Sequence, residues 1–295
     1  MKICTLCPRM CAVDRKSGER GICGQTTEIK VARAALHFWE EPCISGEMGS
    51  GAVFFSGCAL HCVFCQNENI ANGTAGKVIS TERLGEIFLE LQEKGANNIN
   101  LVTPGQFVPQ IIKAVELARN QNLKIPIVYN TSSYENVDTI RSLEGIVDIY
   151  LPDFKYFDTA LSAKYSHAPD YPAVAKAVIA EMVRQTGAAF FENGEDSLMK
   201  RGTIVRHLIL PGHTKNSIAV LDELYETYGK NLTISLMNQY TPLPQVRDIP
   251  DLNRRVTKRE YEKVLDHALD IGITQGFFQE GGTAKESFIP LFDYE

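Results

Sequence analysis

Apolar residues recur along this chain in two alternating rhythms. Short β-forming runs fall at 52–57, 97–103, 125–130, 146–151, 203–210 and 231–237. Several, such as the run at 125–130, are nearly continuous in apolar character, the pattern of strands covered on both faces. Between them lie stretches of helical period at 81–94, 108–121, 134–143, 172–186, 214–228 and 257–271. Thr81-Glu82-Arg83-Leu84 reads as a helix start, and Gly95 as its stop after Lys94. Six strand–helix units in this order predict an α/β fold: parallel strands with right-handed crossovers, curled into a partial (β/α)6 TIM-like barrel. In barrels of this kind the chemistry gathers at the C-terminal ends of the strands. Residues 1–50 lack the strand–helix pattern, so we read them as a small cysteine-rich subdomain appended to a barrel at 51–295. No internal repeat or low-complexity segment interrupts the series.

Composition narrows the class. A chain of 295 residues could form two average domains, although α/β barrels of this size are often single units. The formal net charge of -6 and the lack of a long basic block argue against a nucleic-acid substrate. There is no apolar run near membrane-spanning length, and Met1 to Met10 has no apolar signal core. All eight cysteines lie in the first 65 residues. A secreted disulfide fold would spread its bridges through the chain, so the expectation is the reducing cytoplasm.

Cys58, Cys62 and Cys65 follow the strand-like Ala52-Val53-Phe54-Phe55-Ser56-Gly57 with the spacing CxxxCxxC, and Phe64 precedes the last. Iron–sulfur clusters normally take four thiolates. Three on one tight loop therefore suit a [4Fe–4S] cube with one iron left open to another ligand. The plainer alternative, three buried structural thiols, is a poor fit to three cysteines in eight loop residues after a strand.

This spacing, with an aromatic before the third cysteine, resembles the signature of the radical S-adenosylmethionine (SAM) superfamily. The resemblance implies that SAM chelates the open iron through its amino and carboxylate groups. One electron then breaks the sulfonium–C5′ bond to give methionine and a 5′-deoxyadenosyl radical. Further segments are similar to one branch, the uncharacterised relatives of the pyruvate formate-lyase activating enzyme: Val128-Tyr129-Asn130-Thr131-Ser132, Leu151-Pro152-Asp153-Phe154-Lys155, Arg206-His207-Leu208-Ile209-Leu210-Pro211-Gly212 and Cys4-Thr5-Leu6-Cys7-Pro8-Arg9-Met10-Cys11. The branch implies a low-potential reductant of flavodoxin or ferredoxin type and a glycyl-radical enzyme as the protein activated. Radical modification of a small molecule, peptide or RNA is the alternative, and a non-enzymatic iron–sulfur electron carrier the third reading.

The same resemblance distributes roles at the strand ends. Thr103 and Gly105 stand where the superfamily often carries a Gly-Gly-Glu-Pro turn, and their backbone groups would meet the cofactor's ammonium group. Asp153 and Lys155, two apart and so on one face, are expected to position the cofactor and tune the reaction; a structural ion pair is the alternative. Arg206, amid Ile204, Val205 and Leu208, is expected to be buried and to grip the methionine carboxylate with its planar fork, unless an internal acid takes that place. His207 points the other way and reads as a satisfied histidine. Asn130 and Ser132 replace an acidic Asp-Thr-Asn-Gly-type turn, and Tyr240 is expected to stack where the activating enzymes place a histidine near the adenine.

Cys4, Cys7, Cys11 and Cys23 form a second four-thiolate set, compatible with zinc or a second iron–sulfur cluster. A fifty-residue segment with little apolar core needs such a staple to fold. Cys43 has no partner set and reads as a lone buried thiol.

Overall fold

The computed structural model describes residues 3–192, 197–274 and 276–279, so the end of the expected barrel at 280–295 lies outside the described residues. Among the described residues, ten strands form one sheet system. They are β1 (Ile29–His37), β2 (Ser50–Phe55), β3 (Lys77–Ile79), β4 (Ile99–Val102), β5 (Ile127–Thr131), β6 (Ile149–Pro152), β7 (Phe190–Phe191), β8 (Met199–Leu208), β9 (Thr233–Met237) and β10 (Gly276–Phe278). The strand order is β10-β9-β8-β6-β5-β4-β2-β1-β3, with β7 paired to β8. From β2 to β10 every neighbour on that path is parallel, while β1 runs antiparallel to β2 and β3. Among the described residues the sheet is open, with β3 and β10 at its edges, consistent with a partial TIM barrel.

The helices are α1 (Pro42–Ser45), α2 (Glu68–Ala71), α3 (Thr81–Glu93), α4 (Val108–Asn120), α5 (Val137–Arg141), α6 (Thr159–Ser166), α7 (Tyr171–Thr186), α8 (Thr214–Tyr228) and α9 (Lys258–Asp270). Helix α3 begins as it does because Ser80 Oγ accepts the Arg83 N–H at 3.1 Å. It ends because Gly95 takes φ +87°, a left-handed conformation that costs glycine nothing. Leu84, Phe88 and Leu91 of α3 pack with Ile111, Val115 and Ala118 of α4 over Val53, Ile99 and Ile127. A second apolar cluster places Ile179, Val220, Leu224 and Val264 over Val205, Ile234 and Leu236. Strands β2, β5 and β6 are buried along their whole length, as their continuous apolar runs require.

The six expected strands and six expected helices are present, with ends shifted by a few residues. The structure adds β1 within the segment read as an appended subdomain: Val31 pairs with Phe55 and His37 with Ser50. Residues 29–37 therefore extend the main sheet, and the cysteine-rich stretch outside it is 3–28. The alanine-rich Val31-Ala32-Arg33-Ala34-Ala35-Leu36 gives little period-2 contrast, which is why the pattern hides this strand.

His207 is buried between the half-buried Arg206 and Leu208 of β8. Its Nδ1–H donates to the Phe154 carbonyl at 2.7 Å, which leaves Nε2 to accept the Ser217 hydroxyl at 2.9 Å. Burial pushes its pKa down to about 4. A depressed pKa means that the stabilisation is full above the ordinary histidine value and is lost as pH falls toward 4. That loss should approach about 3 kcal/mol. Urea unfolding at pH 7 and pH 4.5 should show it, and His207→Gln should flatten that part of the curve. An unchanged slope in the variant would assign the acid sensitivity to other groups.

Candidate active site

Strand β2 ends at Phe55 and delivers Ser56, Gly57 and the cysteine loop. Gly57 takes φ +88°, and a Cβ built there would stand 2.4 Å from the Cys23 carbonyl oxygen, so only glycine fits. Cys58, Cys62 and Cys65 all line the mouth of one cavity of about 350 Å³. Cys62 Sγ accepts the Ser166 hydroxyl at 3.0 Å, and Cys58 Sγ the Leu60 N–H at 3.4 Å. Burial pushes the Cys65 thiol up to about 12 and raises that of Cys62, with Lys155 drawing both back. Thiols buried this way stay protonated until a metal pays for the thiolate. Three sulfurs around one opening fit a [4Fe–4S] cube with an open iron. Among the described residues no three metal-binding side chains converge closely enough to hold a single ion.

The same cavity collects the strand ends. Thr103, Asn130, Ser132, Asp153, Lys155 and Arg206 line it, brought there by register: Val102 pairs with Asn130, Thr131 with Pro152, and Asp153 bridges to Arg206. Lys155 Nζ meets Asp153 Oδ2 at 2.7 Å, and Arg206 Nε meets Oδ1 at 3.0 Å. Burial alone would raise the Asp153 carboxyl, but Lys155 and Arg206 outweigh it and hold it below the usual range.

Arg206 also meets an acid that sequence reasoning missed. Its Nη1 stands 3.0 Å from Glu40 Oε2, and its Nη2 donates to Asn130 Oδ1 at 2.5 Å. Glu40 Oε1 accepts from Asn100 and Asn130 at 3.0 and 3.2 Å. Three of the five guanidinium N–H groups are thereby engaged. The internal acids foreseen as the alternative partners for this arginine are present. Glu41, next in the chain, also lines the cavity. Burial raises its carboxyl against the pull of Arg206, and Ser235 hydrogen-bonds it while Oε2 has no partner.

Two expected cofactor residues lie elsewhere. Tyr240 is buried beside Phe64, with ring centroids 6.0 Å apart, and donates its hydroxyl to the Leu252 carbonyl at 2.8 Å. That hydrogen bond holds the ring in the α7–α9 core, and Gln239 reaches the cavity instead. Gly105 lines a second, smaller cavity behind the loop. Thr103, at the place of the expected glycine pair, takes the left-handed φ of +55°, which costs a β-branched residue strain. Gln106 follows Gly105 in the same turn. Its buried Nε2 donates to the carbonyls of Ser56, Gly57 and Thr103 at 2.8, 3.0 and 2.9 Å, tying the cysteine loop to the next strand end.

The N-terminal cysteines sit directly behind this loop. Cys4, Cys7 and Cys23 line the smaller cavity together with Cys58. Burial pushes Cys7 up to about 12, and the charges of Cys23, Cys11 and Cys4 add to it. Cys43 is buried apart from them, also raised to about 12 by burial.

Comparison with known proteins agrees with this geometry. Residues 52–225 match the family model of the Radical SAM superfamily. An uncharacterized protein of Methanocaldococcus jannaschii is 28% identical over 277 residues, covering 90% of this chain and 74% of its own. The fold is similar to that of HydG, a maturase of the [FeFe]-hydrogenase, with TM-score 0.54 and 15% identity, over 81% of this chain and 54% of that one. It is also similar to anSMEcpe with bound AdoMet, with TM-score 0.50 and 13% identity, over 76% and 58%. The chain thus spans a little over half the length of each of these two structures. With more than half of its residues inside the family match, and three cysteines converging on one cavity mouth, the chain belongs to the radical SAM superfamily.

Proposed function

We propose that this radical SAM enzyme belongs to the branch related to the pyruvate formate-lyase activating enzyme. It would take hydrogen from a glycine backbone in a glycyl-radical enzyme. The observation that carries the proposal is the convergence of Cys58, Cys62 and Cys65 with Asp153, Lys155 and Arg206 on one cavity. When bound, the cluster and SAM supply one-electron cleavage of the cofactor and a 5′-deoxyadenosyl radical. The three cysteines would hold the cluster. Asp153, fixed between Lys155 and Arg206, would orient the cofactor, and the free N–H groups of Arg206 would face its carboxylate. Thr103, Asn130 and Ser132 would supply polar contacts on the same rim. Phe54, Leu60, Val102, Leu208 and Met237 give the cavity apolar wall that keeps water from a reactive intermediate.

The cavity's size also supports a second reading, since about 350 Å³ is in the range of small-molecule sites. Cytoplasmic location is part of the proposal, because a reducing compartment suits an oxygen-sensitive cluster. Among the described residues no helix is long and apolar enough to cross a membrane. The deciding experiment is isotopic. Reconstituted protein is incubated with SAM, a reductant and peptides deuterated at glycine, or with extract from cells grown in deuterated medium. Transfer of deuterium into 5′-deoxyadenosine from the glycyl peptides supports the first reading. Transfer only from a small-molecule fraction supports the second. Cofactor cleavage without label from any source would reject both.

A further inference from the structure

Helix α6 ends against the cysteine loop, and its last turn is fastened there. Arg9 Nε donates to the Ala59 carbonyl of the loop at 2.8 Å, while its Nη1 and Nη2 donate to the His167 and Ser166 carbonyls at 2.5 and 3.0 Å. The Val63 N–H donates to the Tyr165 carbonyl at 2.9 Å. His167 closes the helix in the left-handed region at φ +51°, with its N–H on the Ala163 carbonyl. These contacts fix the backbone of Ser166 beside Cys62.

Ser166 is fully buried, and its hydroxyl donates to Cys62 Sγ at 3.0 Å. A serine hydroxyl carries one hydrogen, so with that hydrogen on sulfur its oxygen is left to accept. The donor is Tyr156, whose hydroxyl stands 2.8 Å away. Tyr156 follows Lys155 beyond the end of β6, is itself fully buried, and packs edge-on against Tyr171 with ring centroids 5.4 Å apart. The result is a chain of donors, Tyr156 to Ser166 to Cys62, in which each bond polarises the next. Cys62 lines the substrate cavity, whereas Ser166 and Tyr156 do not. The chain therefore meets the sulfur from the protein side and stays in place when the cavity fills. Cys58 differs, since its sulfur accepts a backbone N–H, that of Leu60, at the longer distance of 3.4 Å.

Two buried hydroxyls in contact are ordinary packing, but the direction of this pair is not. Its last hydrogen is spent on a thiol sulfur, a weak acceptor that becomes a strong one only as a thiolate. We propose that Ser166, backed by Tyr156, is a positioning residue that acts through Cys62 to raise the reduction potential of an iron–sulfur cluster held by Cys58, Cys62 and Cys65. The proposal rests on the radical SAM reading of the loop. Reduction moves one electron from a low-potential reductant of flavodoxin or ferredoxin type to the cluster, and no proton or group changes place. The added negative charge reaches the thiolates, so a donor aimed at Cys62 Sγ favours the reduced form. Potentials of such clusters follow the hydrogen bonds to their sulfurs. Ser166 thus makes the electron that starts SAM cleavage easier to deliver.

The test uses the full chain reconstituted with iron and sulfide, as wild type, Ser166→Ala and Tyr156→Phe. The loop cluster is identified as the one whose reduced electron paramagnetic resonance signal changes on adding SAM. Its midpoint potential is read from that signal in a dithionite titration without SAM, and stability from urea unfolding. At the potential where the wild-type cluster is half reduced, the ratio of reduced to oxidised should fall about tenfold in Ser166→Ala, a midpoint lower by about 59 mV for one electron. Tyr156→Phe keeps the ring and should shift the midpoint less, in the same direction. An unchanged or raised midpoint in Ser166→Ala, even with lowered stability, makes the pair a packing feature and overturns the proposal. If Ser166→Ala assembles no loop cluster, Tyr156→Phe decides: a lower midpoint supports the chain of donors, and an unchanged one overturns it. A wild-type signal that SAM leaves unaltered would sink the reading of the loop itself, and this proposal with it.

Discussion

Cys62→Ala protein should cleave SAM at less than a hundredth of the wild-type rate. The Cys62 thiol lines the cavity mouth, receives the Ser166 hydroxyl at 3.0 Å and feels Lys155 across the site. Besides Cys58 and Cys65, no other cysteine lines that cavity, so no thiol is placed to substitute. Losing a supporting partner of a ligand costs roughly 10–100-fold, and losing the ligand itself should cost more. Ser166→Ala provides the comparison. It keeps all three thiols and removes one hydrogen bond to sulfur, so its effect should stay within about tenfold to a hundredfold. The measurement is 5′-deoxyadenosine formed per chain with dithionite, alongside bound iron. Wild-type cleavage by Cys62→Ala would remove this cysteine from the ligand set.

Arg206→Ala should lose both stability and cofactor affinity. It leaves Asp153 with Lys155 alone and strips Glu40 of its only charged partner among the contacts described. Breaking a buried ion pair from one side costs on the order of 3–5 kcal/mol, because the remaining charge stays desolvated. Arg206→Lys keeps a charge but cannot serve Asp153, Glu40 and Asn130 together. The double variant Glu40→Gln/Arg206→Lys separates the two roles. Removing the stranded acid should recover stability in urea unfolding. If Arg206 also binds the cofactor, SAM affinity stays low in that variant, by roughly thirtyfold or more for a loss of about 2 kcal/mol. Recovery of stability and affinity together would make Arg206 a structural partner alone.

The fold was legible wherever burial on both faces left a nearly continuous apolar run, as at 125–130. The loop of Cys58, Cys62 and Cys65 was legible because ligand chemistry restricts both residue type and spacing. Glu40 and Glu41 were not. The reading looked for function at the C-terminal ends of parallel strands, but β1 is antiparallel to β2. Its chain end therefore lies at the opposite end of the strands and brings Glu40 to Asn100, Asn130 and Arg206 from there. The signal present in the sequence was Phe38-Trp39-Glu40-Glu41-Pro42, two acids after an aromatic pair, without a period to give them a direction. Tyr240 shows the reverse failure. A strand-end position suggested the cavity, but an aromatic ring with an apolar neighbour and a carbonyl in reach is better satisfied in the core. Asn100 is a further buried side chain, in β4, whose amide became visible only through Glu40.

The long reach of Arg9 sets an order of events in the making of the protein. Its guanidinium closes on His167, 158 positions later, and the Asn136 side chain reaches back 131 positions to the Thr5 carbonyl. Contacts so distant in sequence form late, because their loops must close first. During synthesis at about 5–20 residues per second, Cys4, Cys7 and Cys11 leave the ribosome roughly 8–30 s before their docking surface does. For that interval the thiols are bare, on a nascent segment too short to build a core. Metal delivered early meets a disordered peptide; metal delivered late meets a preassembled pocket. Any metal these cysteines take, zinc or iron, should accordingly load with a yield that depends on its supply during translation, not only after it.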